Sequence, residues 1–169
     1  VNDVLTRFIS TGKLEPKETI PSVAPSMDIQ IPSSLERLIY NFEGDSSSFY
    51  DQLQNEKIAK LSEESVVKLQ NIFSSLSFND EMILKEIDLF YKNYGWVIDP
   101  HTATALSSSV SFSSTLPVVG VATASPEKFS DVISKTIDEF RVESTKNEEK
   151  YFVQKANSSL VENTIKECL

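Results

Sequence analysis

The sequence predicts an α/β protein, rich in helix and short of strand. Three observations carry that expectation. Between residues 1 and 94 several segments repeat apolar residues at the 3.6-residue period of an amphipathic helix. Two apolar runs of strand length follow, at 95–98 and 116–122, each leading into a helix signal. The second of them is apolar without alternation, as in a parallel strand covered on both faces.

The elements follow in order. Asn2-Asp3 precedes Val4, Leu5, Phe8 and Ile9, a helical stripe behind an N-cap signal, and Gly12 closes it. Residues 13–32 hold Pro16, Pro21, Pro25 and Pro32 and read as an irregular connection. Ser33-Ser34 offers an N-cap to the helix Leu35 to Phe42, stopped by Gly44. Asp45 and Ser46 to Ser48 start another, with Phe49, Leu53 and Ile58 on its inner side. Glu63 to Phe73 carries Val66, Val67, Leu69, Ile72 and Phe73 at helical spacing.

The clearest helix is Asn79 to Tyr94. Asn79 caps it, Asp80 and Glu81 suit the positive end of its dipole, and Gly95 stands where a left-handed terminator belongs. Its inner stripe is Ile83, Ile87, Phe90, Tyr91 and Tyr94. Gly95 to Ile98 reads as a short buried strand running into Asp99-Pro100-His101-Thr102-Ala103, which opens a helix to about Ser109. A dense run of serines from 107 to 114 reads as an expanded loop. Leu116 to Ala122 is the second strand; Glu127 then opens a helix to about Phe140, with Phe129, Val132, Ile133, Ile137 and Phe140 inside. Residues 1–140 form the folded body, and 141–169 a polar, partly helical tail. Two parallel strands make a poor core, so most of the sheet is expected elsewhere in a longer chain. The first residue is Val1, which also reads as a piece of a longer chain.

Composition narrows the function. With 25 acidic and 16 basic residues the formal net charge is -9, the wrong sign for coating nucleic-acid phosphates. No run approaches the ~18 apolar residues of a membrane span, and no basic leader is present, so no membrane partner is expected. One cysteine, Cys168, and one histidine, His101, assemble neither an internal disulfide nor a zinc set, and a reducing, cytoplasmic location follows. The four glycines, at 12, 44, 95 and 120, are too far apart for a phosphate-cradling loop. No lysine sits in the apolar context that depresses an amine pKa for imine chemistry.

Several residues carry two readings. His101, at a strand-to-helix turn, is an acid, base or anion ligand, or else its ring bonds locally and fixes the turn. Thr123 lies just past an apolar strand, where ligands gather in open α/β sheets, or its hydroxyl caps the next helix, a role Ser125 fills equally well. Arg7 and Arg37 project from helices, either toward a substrate anion or into solvent and ion pairs. Asn157-Ser158-Ser159 fits a glycosylation triplet, with chance the better reading.

Together, several segments resemble threonine synthase, a pyridoxal-phosphate enzyme of the tryptophan-synthase-β-like fold (fold type II). They are Asn2 to Phe8, Ser26-Met27-Asp28-Ile29, Leu35-Glu36-Arg37-Leu38, Asp99-Pro100-His101-Thr102-Ala103, and Thr123-Ala124 with Pro126, Lys128 and Phe129. Their order and spacing are right from residue 1 to about 140. The resemblance implies the C-terminal part of the large catalytic domain, helix-rich with few parallel strands.

It also implies a carbon–oxygen lyase acting on a phosphate. O-phospho-L-homoserine and water would yield L-threonine and phosphate, in threonine biosynthesis, with pyridoxal 5'-phosphate as electron sink. By position, Thr123 corresponds to the residue that hydrogen-bonds the pyridine nitrogen; Asp28, Arg37 and His101 fall in motifs on the substrate side. Ser125 stands where the family usually has His, and Ser34 where it has Asn. The aldimine lysine and the phosphate cradle lie upstream of residue 1 in the family order. The expectation is a fragment that contributes no catalytic residue and no metal ligand, is inactive alone, and is partnered by the missing N-terminal half. The alternative is a non-catalytic, truncated paralogue acting as a binding or interaction module.

Overall fold

Asn79 accepts a hydrogen bond from the backbone N–H of Met82 at 2.9 Å and starts the longest helix, Asp80–Tyr94. It is the fifth of seven α-helices in a computed structural model that describes residues 1–112 and 116–141, with the isolated positions 159 and 166. Expectations for residues 113–115 and for the tail beyond 141, Cys168 and the glycosylation triplet among them, lie outside the described residues.

The helices are α1 (Val4–Thr11), α2 (Leu35–Glu43), α3 (Ser47–Glu56), α4 (Glu63–Ile72), α5 (Asp80–Tyr94), α6 (Pro100–Ser111) and α7 (Ser130–Ile133). A 3-10 turn at Pro25–Asp28 interrupts the proline-rich connection, and another at Pro126–Phe129 precedes α7. Two strands, β1 (Lys13–Leu14) and β2 (Ala59–Lys60), pair antiparallel with Leu14 opposite Ala59. Each contributes one buried side chain, too short a pattern for periodicity to reveal.

The apolar stripes meet in two clusters. Phe8, Leu14, Leu35, Ile39, Phe49, Leu53, Ala59 and Leu69 close one between α1, α2, α3 and α4. Ile83, Ile87, Ile98, Ala103, Ile133 and Ile137 close the other around α5, α6 and α7. Burying side chains of this size contributes about 1.5–3 kcal/mol each, which is the main support of both. Gly12 ends α1 in the left-handed region, φ 70°, where its amide bonds Phe8 O and its carbonyl accepts from Leu61 N.

Several expectations change. The inner side of α4 is Ser65 and Leu69, while Val67, Ile72 and Phe73 face solvent. Tyr94 is exposed rather than part of the α5 stripe. Neither 95–98 nor 116–122 forms a ladder. Neither has regular secondary structure, and Trp96 (75% exposed) and Val119 (80%) stand in solvent. A strand needs a neighbouring strand to pair with its N–H and C=O groups, and the one ladder among the described residues, β1 with β2, takes in neither run. The helix expected from 127 to 140 is only a 3-10 turn, the single turn α7 and further turns. Ser134 Oγ donates to Ser130 O there, the local bonding that competes with a continuing helix. Its apolar residues still reach the second cluster.

Truncating the Asn79 cap tests the helix best supported in the sequence. Asn79→Ala should cost about 1 kcal/mol, read as a lowered urea midpoint with faster exchange of the Met82 amide.

A cavity between the two clusters

The connection from 16 to 32 ties the clusters together. Asn2, expected as part of a helix cap, instead serves this loop. Its Nδ2 donates to Ile20 O at 2.6 Å and to Asp28 Oδ1 at 2.7 Å, and its Oδ1 accepts from Ile20 N at 3.0 Å. Asp28 also accepts from the Ser22 amide (2.9 Å) and hydroxyl (2.6 Å). The Asp80 carboxylate takes the Val23 amide at 3.2 Å, and so fastens the loop to the start of α5.

Behind the loop, the start of α6 is a buried polar cluster. Asp99 caps the helix ahead of Pro100, a residue with no N–H to satisfy. Its Oδ1 accepts from the His101 amide and faces His101 Nδ1, both at 2.9 Å, while its Oδ2 accepts from the Thr102 hydroxyl. His101 Nε2 accepts from the Ser26 amide at 3.1 Å, and Phe129 packs edge-on against the ring. Both His101 ring nitrogens are engaged within the protein.

A cavity of about 650 Å³ opens between α1, the loop and the facing ends of α5 and α6. Its polar lining includes Asn2, Ser22, Ser26, Asp28, Asp80 and Glu81; its apolar lining includes Leu5, Ile9, Met27 and Phe78. Of the residues singled out in the sequence, Asp28 lines it and His101 stands one hydrogen bond behind it. Thr123 and Arg37 do not line it. Thr123 is exposed in the segment before the second 3-10 turn and makes no hydrogen bond among the described residues, so it does not cap that turn. Ser125 does not cap either; its hydroxyl donates to Glu127 Oε2 at 3.0 Å. Arg37 is exposed on α2, without a hydrogen-bond or ion-pair partner among the described residues, beside a shallow hollow that includes Ser33 and Tyr40.

Arg7 is committed elsewhere. Its Nε donates to Asp3 Oδ1 at 2.9 Å and its Nη2 to Glu15 O at 2.9 Å. The Arg7 hydrogen bond, against a small opposing effect of burial, holds the Asp3 carboxyl below the ordinary carboxylate range. Sequence reasoning missed Asn2 as the hub of the loop and Asp99 as the hub of the helix start. The second had a signal, since Asp ahead of Pro at a helix start is a cap signature.

No family model matches the sequence. The chain is 32% identical over 140 residues to threonine synthase of Pseudomonas aeruginosa, an alignment that takes in 79% of this chain and 30% of the relative. A PLP-bound threonine synthase from Brucella melitensis superposes with a TM-score of 0.74 at 29% identity, over 80% of this chain and 30% of that one.

The chain is homologous to the threonine synthases.

It also aligns with threonine synthase-like 1 of Macaca fascicularis, at 30% identity over 93% of this chain and 22% of that protein. It thus spans under a third of each of these three homologues. The superposition gives it the fold of part of a threonine synthase, helix-rich with a small share of strand.

Proposed function

We propose that this chain works as the C-terminal part of a threonine synthase, residues 1–140 lying in its catalytic domain. The whole enzyme would convert O-phospho-L-homoserine and water to L-threonine and phosphate, in the cytoplasm. The observation that carries the reading is the likeness to the Pseudomonas and Brucella enzymes across four-fifths of the chain. No described helix is long and apolar enough to cross a membrane.

The residues described do not by themselves fit pyridoxal phosphate. Every lysine among them is exposed. Of the glycines, 12, 44 and 95 end helices, and Gly120 faces Leu106, where an added Cβ would lie 3.0 Å from Cδ2. None lines an anion cradle, and no chemical step through the cofactor is assigned to this chain. Its share is one wall of the cavity, where Asp28 stands, with Thr123 and Arg37 lying off that wall. Thr123 would offer its hydroxyl to the ring nitrogen, and Asp28 and Arg37 would be polar groups on the substrate side. His101 would act only from behind, through Ser26. The remaining length of polypeptide, as the homologues have it, is the partner.

Reconstitution tests this. The purified chain alone should release no phosphate from O-phospho-L-homoserine and show no lysine-linked absorbance band with added pyridoxal phosphate. Mixed with the remaining portion of a homologous enzyme, it should restore threonine formation. Turnover by the chain alone, or no recovery in the mixture, overturns the proposal. In the reconstituted enzyme Thr123→Val removes one hydrogen bond of about 0.5–1.5 kcal/mol, so kcat should fall up to about tenfold. An unchanged kcat would remove Thr123 from the site.

A further inference from the structure

We propose that His101 is a proton-operated latch on the cavity wall: neutral, it holds the Pro25–Asp28 turn against α6, and protonated, it lets that turn go. The tautomer follows from its neighbours. A backbone amide only donates, so Nε2, 3.1 Å from the Ser26 nitrogen, is an acceptor. A carboxylate only accepts, so Nδ1, 2.9 Å from Asp99 Oδ1, carries the hydrogen. One lone pair remains for a second proton, and it is the one that holds Ser26. A proton arriving from solvent must bind at Nε2. Two N–H groups then face each other across 3.1 Å, and that contact opens; no covalent bond other than the new N–H is made or broken.

Asp99 does not let go. Both of its oxygens already accept from the start of α6, and it is fully buried beside the ring, so the imidazolium gains a counter-ion where it forms. The remaining charged groups on elements against the ring are Asp28 on the turn and Glu127 and Lys128 flanking Phe129. None of these makes a hydrogen bond or ion pair with the imidazole. Asp80, across the loop, is engaged with the Val23 amide.

Release moves a defined piece. Ser26, Met27 and Asp28 all line the cavity, and the Ser26 amide makes the hydrogen bond that joins their turn to α6. The turn stays tied to the start of α1 through Asn2 and Asp28. The wall therefore shifts relative to α6, and acid widens the cavity. The inference does not depend on the reaction proposed above.

Nitrogen-15 spectra of the full chain between about pH 8 and pH 5 test it. At the alkaline end Nδ1 should be protonated and Nε2 bare. On acidification the imidazole and the Ser26 amide should titrate with one midpoint. Below it, Ser26 amide exchange, corrected for its intrinsic rate, should be faster by about tenfold or more, with the Met82 amide unchanged. In His101→Gln the Ser26 titration should vanish. A proton on Nε2 at the alkaline end, a Ser26 amide indifferent to the histidine's charge, or a histidine that never titrates overturns the latch. The wild-type titration decides the matter even where the variant fails to fold.

Discussion

Asp99→Ala should lower the stability of the chain by about 3–5 kcal/mol, the cost of leaving buried partners of a removed charge unpaired. Three donors lose their acceptor together: the His101 amide, the His101 Nδ1–H and the Thr102 hydroxyl. Each of these residues is buried, so water does not readily take over, and an unmet buried donor costs about 1–3 kcal/mol. Asp99→Asn keeps the shape and one carbonyl oxygen, and should cost roughly half as much on the same scale. Urea unfolding followed by circular dichroism reads both. A loss under about 1 kcal/mol in Asp99→Ala would mean that the cluster is open to solvent.

Gly12→Ala is the second large effect, about 2–4 kcal/mol, from two costs that add. The added Cβ would lie 2.2 Å from Val66 Cγ2, a distance no packed pair of carbons adopts. The backbone at φ 70° also penalises any side chain. It cannot easily swing away, because the Gly12 carbonyl is held by the Leu61 amide and its own amide by Phe8 O. Gly44→Ala separates the two costs: φ is 77° there, but nothing lies within 4 Å of the new Cβ, so only about 1 kcal/mol is expected. Combining Gly12→Ala with Val66→Ala should recover part of the loss in a double-mutant cycle. Equal losses at Gly12 and Gly44 would show that the Val66 contact contributes nothing.

Where the sequence speaks through local rules the structure agrees in part: Asp3 and Ser34 stand at the cap positions of α1 and α2 but make no side-chain cap hydrogen bond. Gly12, Gly44 and Gly95 close their helices in the left-handed region, and Asn79 and Asp99 cap theirs. Ile83, Ile87, Phe8 and Leu53 are buried as their spacing requires. What stayed hidden depends on distant partners. The β1–β2 pairing joins residues 14 and 59 with no pattern at either end. Asn2 reads as a cap because its role is set by contacts with loop residues 18 and 26 positions later, Ile20 and Asp28. Ser26 carries no signal at all, since its backbone, not its side chain, meets His101. The two runs with the composition of strands lack a ladder: the described residues bury Ile98 of the first in the second cluster but leave Trp96 and the valines of the second exposed, so composition alone does not report the burial on both faces of a parallel strand. Of the site, Asp28 and His101 stand in motifs visible in the sequence, but the Ser26 amide bond that ties His101 to the turn carrying Asp28 has no such signal.

The run ending at Ala122 has one consequence for the life of the molecule in solution. Val118, Val119 and Val121 present β-branched side chains to water, on backbone that joins no ladder among the described residues. Flat, uncharged, valine-rich segments of this kind invite edge-to-edge stacking between identical molecules. Colloidal behaviour, rather than unfolding, should then set the ceiling on its working concentration. Clouding should grow with protein amount at temperatures where every helix is intact.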